Sequence, residues 1–340
     1  MRALVKYDHG PGKIEVRDVE EPHPAPNEAI IEVEAAGICG TDLHIQNGSW
    51  SVNPPVIMGH EFSGRIVQLG NGVMGWSTGD RVVSEVPRVC GTCEYCVSGN
   101  YHLCDQRKAM GYAVDGAFTK LVAVPSRNLH KLPHNLTSEE AAIVEPLADV
   151  MHAMLAVSQV KPGDSVAIVG PGPIGLLGAQ VAKACGAIQV VVTGLSKDAE
   201  RLNLAEKLGA TTINVDEQDP IQRMMSSTSG RGFDLVLEAS GSPSGATLAL
   251  STVRKKGQVT LIGLHSREAQ VDLNRIVQRE IRLAGSWVNV RDDWDRALRI
   301  VSAGLVHLKP LISGTFRLEE WQQAFELCRA GRAIKVLLIP

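Results

Sequence analysis

Ser165-Val-Ala-Ile-Val169, then Gly170-Pro171-Gly172-Pro173-Ile174-Gly175, then Leu176 to Cys185: this stretch decides the fold. A short apolar run enters three glycines, and an amphipathic segment leaves them. That is the strand–turn–helix order of a dinucleotide-binding βαβ unit. Gly170 permits the tight turn. Gly172 lets the backbone approach a pyrophosphate without a Cβ in the way, and Gly175 lets the helix pack close to the strand. Pro173 and Ile174 open the helix, whose free N–H groups and positive dipole end face the phosphates. A lone G-x-G-x-x-G often marks an ordinary turn, but here the flanking strand and helix are both present.

From about residue 165 to 286 the same rhythm continues. Apolar runs at 166–169, 189–193, 211–215, 233–237, 258–262 and 281–286 alternate with helical segments such as 197–208 and 243–253. The pattern predicts a parallel sheet wound on both faces, in an α/β chain. Residues 292–303 and 318–330 read as helices and 333–339 as a strand. The mixed composition after 286 breaks the βα rhythm, so this tail is expected to rejoin the first domain. Before the sheet, 3–7, 14–19, 29–35, 63–70, 79–86 and 117–124 read as short strands of an antiparallel region. The stretch 136–157 reads as helical, opened by Thr137-Ser138-Glu139-Glu140 and interrupted at Glu145-Pro146.

The 340 residues suggest two domains. A net charge of −3 makes no electrostatic case for nucleic acid or a membrane surface. Residues 1–8 are too short and too charged for a signal peptide, and no apolar run nears the length of a membrane span. The expectation is a cytoplasmic protein.

Four of the seven cysteines lie in Cys90-Gly-Thr-Cys93-Glu-Tyr-Cys96-Val-Ser-Gly-Asn-Tyr-His-Leu-Cys104. In a reducing compartment this spacing argues for a metal and against disulfides. Four thiolates leave no open position on a tetrahedral ion, so the metal is read as structural zinc, with an iron–sulfur cluster the alternative. A second set is Cys39, at a turn opening a short helix, with His60-Glu61 some twenty residues on. Cys39 alone could be a small buried apolar residue and His60 a structural histidine. Together with a carboxylate they are ligands that zinc accepts. Glu145 stands directly before a proline in an apolar stretch, and a charge buried there needs a partner. A metal ion would serve, as would a helix-end salt bridge.

In order along the chain, Gly37-Ile-Cys39-Gly-Thr41-Asp42, Gly59-His60-Glu61, the four-cysteine lobe, Glu145-Pro146 and Gly170–Gly175 resemble the zinc-containing medium-chain dehydrogenases. The resemblance covers essentially the whole chain. Glu145-Pro146-Leu147 with His152 looks like the branch of polyol (sorbitol-type) and threonine dehydrogenases, since alcohol dehydrogenases proper carry a cysteine at the third ligand position. The resemblance implies a GroES-like catalytic domain over 1–148 and 287–340, its structural zinc lobe at about 88–106, and a Rossmann coenzyme domain over 149–286. The active site is implied between them. Cys39, His60 and Glu145 are implied as ligands of a catalytic zinc, with Glu61 a ligand or immediately behind one. Cys90, Cys93, Cys96 and Cys104 are implied to hold the structural zinc. Thr41 and His44 stand at the positions of the family's proton relay.

The implied reaction is hydride transfer between a secondary alcohol and a nicotinamide, with zinc as Lewis acid. A polyol, a sugar or a sugar-derived alcohol is the expected substrate, with threonine or a 2,3-diol as alternatives. At Gly285-Ser-Trp287-Val-Asn289-Val-Arg291 the chain departs from the sorbitol-type pattern, where an Arg-Tyr pair meets the polyol. A noncatalytic dinucleotide-binding protein is the rival from another class, and a zinc-independent quinone reductase lacks both metal sets. Homodimers or homotetramers are implied by the family.

The cofactor reading turns on Val190-Val-Val-Thr193-Gly194-Leu195-Ser196-Lys197. An NAD-specific unit places an acid at the end of the second strand to bind the ribose 2′-OH. Gly194 occupies that place, and Ser196, Lys197 and Arg201 follow. The reading leans to NADP because the basic residues could neutralise a 2′-phosphate. Dual use stays open, since Lys197 and Arg201 could equally be solvated helix residues.

Overall fold

Each apolar run in the second half of the chain becomes a strand. The computed structural model describes residues 1–340 apart from Gln218 and Ser266. It divides into two compact units: 1–146, 290–302 and 308–340 form one, 147–289 and 303–307 the other.

The second unit is built on a parallel sheet with six strands among the described residues. In spatial order they are Thr211–Asn214, Gln189–Gly194, Ser165–Val169, Phe233–Glu238, Val253–Leu261 and Arg282–Gly285. The order reverses at Ser165–Val169, which pairs with Gln189–Gly194 on one side and Phe233–Glu238 on the other. Ligands of open parallel sheets bind beyond the strand ends at such a switch point. All five residues of Ser165–Val169 are buried, as expected of a strand covered on both faces. The core includes Ala167, Val191, Phe233, Val236 and Val259. Helix Pro173–Ala184 starts with proline in its first turn, where the missing N–H has no partner to lose.

The first unit is β-rich and mostly antiparallel, with Ile312–Arg317 and Lys335–Ile339 as a parallel pair. Its larger sheet runs Leu129–Lys131, Arg81–Ser84, Glu61–Leu69, Glu28–Gly37, Lys335–Ile339, Ile312–Arg317, with Leu121–Pro125 also pairing with Glu28–Gly37. The C-terminal strand pairs with Gly37 and Ala36 through Leu337 and Leu338. That pairing brings the end of the chain beside the residues before Cys39. The core of this unit includes Leu4, Ile31, Phe62, Phe118, Phe325 and Leu338.

The segment 136–157 differs from the expected single interrupted helix. It forms helix Ser138–Ala141, helix Val144–Met151 and a π-helical turn His152–Val157. Glu145-Pro146 does not break it. Both residues lie in the first turn of Val144–Met151, where a proline removes no intrahelical hydrogen bond. No helix of the described residues is long and apolar enough to cross a membrane.

Candidate active site and metal centres

Cys39 is the N-cap of helix Gly40–Asn47, and its N–H donates to Asp42 Oδ2 (2.8 Å). This local turn aims the Cys39 thiol inward. His60 and Glu61 lie at the start of strand Glu61–Leu69, whose register sets Glu61 opposite Gly37. Ligand atoms of Cys39, His60 and Glu61 lie within 4.8 Å of one another. Gly37 is needed here because a Cβ at its position would run into the Glu61 carboxylate. Glu145 is also buried, in the first turn of helix Val144–Met151, but is not one of this close group of three.

The donor chemistry fits zinc. Burial, reinforced by Glu61, pushes the Cys39 thiol up to about 12. A nearby cation would hold it as the thiolate that metals bind. His60 Nδ1 and Asp42 Oδ1 are both buried without a hydrogen bond, 4.0 Å apart. A buried imidazole beside a buried carboxylate is how a metal-binding histidine is held. Asp42 is fully buried, and burial pushes its carboxyl up to about 6 against the pull of His60 and the Cys39 N–H.

The site also holds a cation of the chain's own. Lys335 Nζ donates to both oxygens of Glu61 and to Ile38 O (3.2 Å), and it is buried. Burial disfavours its charge, but Glu61, Cys39 and Glu145 outweigh this and raise its pKa to about 12. Sequence reading missed Asp42 and Lys335 as site residues. Asp42 carried a signal, a carboxylate three positions after the cysteine. Lys335 carried none, being 274 residues from Glu61.

The relay residues are further apart. Cys39 Sγ donates to Thr41 Oγ1 (3.8 Å), so Thr41 lies at the site. His44 is exposed; it shares a hydrogen bond with Ser49 Oγ (3.2 Å) and stacks on Trp50. Among the described residues no hydrogen bond joins Thr41 to His44.

In the cysteine lobe, ligand atoms of Cys90, Cys93, Cys96 and Cys104 also lie within 4.8 Å of one another. Cys90 Sγ is 3.8 Å from Cys96 Sγ and 3.6 Å from Cys104 Sγ. A tetrahedral ion with Zn–S bonds of about 2.3 Å has sulfur–sulfur edges of about 3.8 Å. The Thr92 and Cys93 N–H groups hold the Cys90 thiol down to about 6, while partial desolvation pushes half-buried Cys96 up to about 12. The lobe helix Glu94–Val97 buries no residue. Tyr101 ties the lobe to the sheet, donating to Glu85 Oε2 (2.6 Å) and accepting from the Arg291 N–H (2.5 Å).

In the other unit, a cavity of about 500 Å³ opens beyond the switch-point strands. Gly170, Gly172 and Gly194 line it, as do Lys197 and Arg201. Nothing lies within 4 Å of where a Gly172 Cβ would be, so the space a pyrophosphate needs is open. At Gly175 a Cβ would collide with Gly170 O, the close helix–strand approach expected from the motif. Pro173, Ile174 and Gly175 belong to the helix start and are not among the lining residues. Two features differ from the sequence reading. Ser196 is not in the lining; its N–H donates to Asp216 Oδ2 (2.7 Å) and its hydroxyl meets Asn214. An acid does line the cavity, Asp198, but one oxygen accepts from the Leu195 N–H (3.1 Å) and the other pairs with Arg201 (3.5 Å).

Residues 25–134 match the family model of the alcohol dehydrogenase GroES-like domain, and 173–303 that of the zinc-binding dehydrogenases. A sorbitol dehydrogenase of Halalkalibacterium halodurans is 43% identical, with 100% of this chain and 99% of that protein covered. An L-threonine 3-dehydrogenase of Bacillus velezensis is 38% identical, with 100% and 99% covered. A solved zinc-binding dehydrogenase of Sinorhizobium meliloti 1021, bound to NADP, superposes with a TM-score of 0.94 at 32% identity, over 100% of this chain and 99% of the other. With a dinucleotide fingerprint, two convergent ligand sets and full-length relatives of this kind, the chain belongs to the zinc-containing medium-chain dehydrogenases, in their polyol and threonine dehydrogenase branch.

Proposed function

We propose that this enzyme oxidises a secondary hydroxyl of a polyol, sugar or sugar-derived alcohol and passes the hydride to NADP in preference to NAD. The observation that carries the reading is the buried convergence of Cys39, His60 and Glu61 beside Lys335. Cys39, His60 and Glu145 would hold the catalytic zinc, and the four lobe cysteines a structural one. When bound, zinc supplies Lewis acidity to the alcohol oxygen and the nicotinamide accepts the hydride.

The chain's own residues would do the rest. Asp42 orients His60. Lys335 fixes the Glu61 carboxylate and balances its charge in a buried site. Thr41, in contact with Cys39, would accept the alcohol proton on its hydroxyl while passing its own on, and exposed His44, one helical turn on, would take that proton and release it to solvent. Lys197 and Arg201 support the NADP preference from the cavity wall. A homodimer or homotetramer is supported by the edge strand Arg282–Gly285, where Leu283 is exposed, and by exposed Leu273 and Val277 on the preceding helix.

Initial rates with zinc-replete protein on polyols, polyol phosphates, sugars, sugar acids, 2,3-diols and threonine, each with NAD and NADP, test the reading. Turnover of a polyol or sugar alcohol is expected. Threonine is the second reading, favoured by the 38% identical threonine dehydrogenase. Threonine as the best substrate by kcat/KM would replace the polyol assignment, and no turnover of any alcohol would leave a noncatalytic dinucleotide-binding protein.

A further inference from the structure

We propose that Pro171 sets the cofactor preference: its ring fills the space that an acidic side chain at position 194 would need, and so closes off the carboxylate–ribose contact on which NAD selection rests. The inference rests on the NADP reading above and supplies its structural cause.

Gly194 ends strand Gln189–Gly194 and is buried. A Cβ there would stand 2.7 Å from Pro171 Cγ, 3.2 Å from Pro171 Cδ and 3.0 Å from Leu202 Cδ2. Unstrained carbon contacts are about 3.5–4.0 Å. Neither backbone can yield readily. Gly194 O accepts from the Val215 N–H (2.9 Å), and Gly194 is in register with Asn214 of the next strand. Pro171 follows Gly170, whose N–H donates to Thr193 O (3.0 Å) and whose own Cβ position lies 2.9 Å from Ser240 backbone atoms. On the other side is Gly172, the N-cap of helix Pro173–Ala184. A flexible side chain could swing away, but a pyrrolidine ring is closed onto its own backbone nitrogen and can shift only by a change of pucker. Leu202 is nearly buried and closes the second wall.

Glycine at 194 is therefore a packing requirement of this turn as well as the absence of an acid. What remains nearby on the cavity wall is Lys197, Arg201 and Asp198. The Asp198 oxygens are already engaged by the Leu195 N–H and Arg201. A ribose 2′-OH thus meets no free carboxylate, while a 2′-phosphate meets two cations against one paired acid. This is the chemistry of a 2′-phosphorylated dinucleotide.

The test compares wild type, Pro171→Ala, Gly194→Asp and the double variant as zinc-replete proteins. Melting temperature without nucleotide and Kd for NADH and NADPH are measured on each. Gly194→Asp alone should melt lower and bind both nucleotides at least tenfold more weakly. Adding Pro171→Ala should recover most of the melting temperature lost by Gly194→Asp, the flexible Leu202 side chain yielding the rest of the space, and shift the NADH-to-NADPH preference at least tenfold toward NADH. Gly194→Asp that keeps its melting temperature and turns to NADH unaided would overturn the proposal. So would a double variant as destabilised as the single one. Wild-type protein that binds NADH more tightly than NADPH would overturn the NADP reading and the role of Pro171 in setting it, whereas the steric coupling between 171 and 194 is measured separately by the melting temperatures.

Discussion

The two cysteine-containing centres have ligand sets of similar compactness, yet they are built on opposite principles. Cys39, His60 and Glu61 are held by a helix N-cap and a central strand, among residues such as Phe62, Met58 and Ile38 that are nearly or fully buried. The lobe at Cys90–Cys104 has a four-residue helix that buries nothing, with Val97 73% and Leu103 44% exposed. The first centre inherits its geometry from a hydrophobic core. The second has little core to inherit from, so its ligands must be held by what they bind. One site should lose function without losing its fold, and the other should lose structure first.

The largest effect expected from this contrast is on turnover. Cys39→Ala or His60→Ala should lower kcat/KM by more than about 10³-fold, roughly 4 kcal/mol of transition-state stabilisation, with little change in melting temperature. Retained activity at matched zinc content would remove the catalytic assignment. A large fall in melting temperature would instead make this centre a structural staple like the lobe.

Lys335→Met should come next, because it strands the Glu61 carboxylate in the interior. Breaking a buried pair from one side costs about 3–5 kcal/mol. Lys335→Met, Glu61→Gln and the double variant, compared by chemical denaturation, test this. The double should be more stable than Lys335→Met; additive losses would show that the two side chains act separately.

Cys93→Ser should release one metal per chain and lower the melting temperature by about 5 °C, some 2 kcal/mol for a domain of this size, with the change localised to residues 88–106 in hydrogen exchange. Unchanged stability with full zinc content would show that the lobe is not a metal site.

The smallest effects should come from Asp42, beside His60, and from Glu145, the third proposed ligand. Asp42→Asn and Glu145→Gln keep shape and remove charge. Asp42→Asn should reduce zinc affinity or kcat by about 10–100-fold, the range for groups that orient metal ligands, and Glu145→Gln by at least that much. If Glu145→Gln leaves both unchanged, Glu145 is a helix-start carboxylate and no more.

The sequence by itself determined what depends on local pattern. The alternation of apolar runs and helical segments specified the parallel sheet, because a strand buried on both faces must be apolar throughout. Gly170–Gly175 specified a turn with open space over Gly172, and four cysteines at close spacing specified a compact thiol set. The helix start at Glu145-Pro146 was misplaced because a proline that ends a helix and one that begins it look alike along the chain, and only the hydrogen-bonding frame separates them.

Tertiary structure alone decided which distant groups share a burial site. Pairing of the C-terminal strand with Glu28–Gly37 sets Lys335 against Glu61 across 274 residues. The close approach of the Gly170–Gly172 turn to the next strand sets the Pro171 ring over Gly194. Neither contact has a sequence period or spacing, since each follows from how separate elements pack. Those contacts govern charge balance and the space available to a side chain, which is why ligand types were legible in the sequence and the residues that tune them were not.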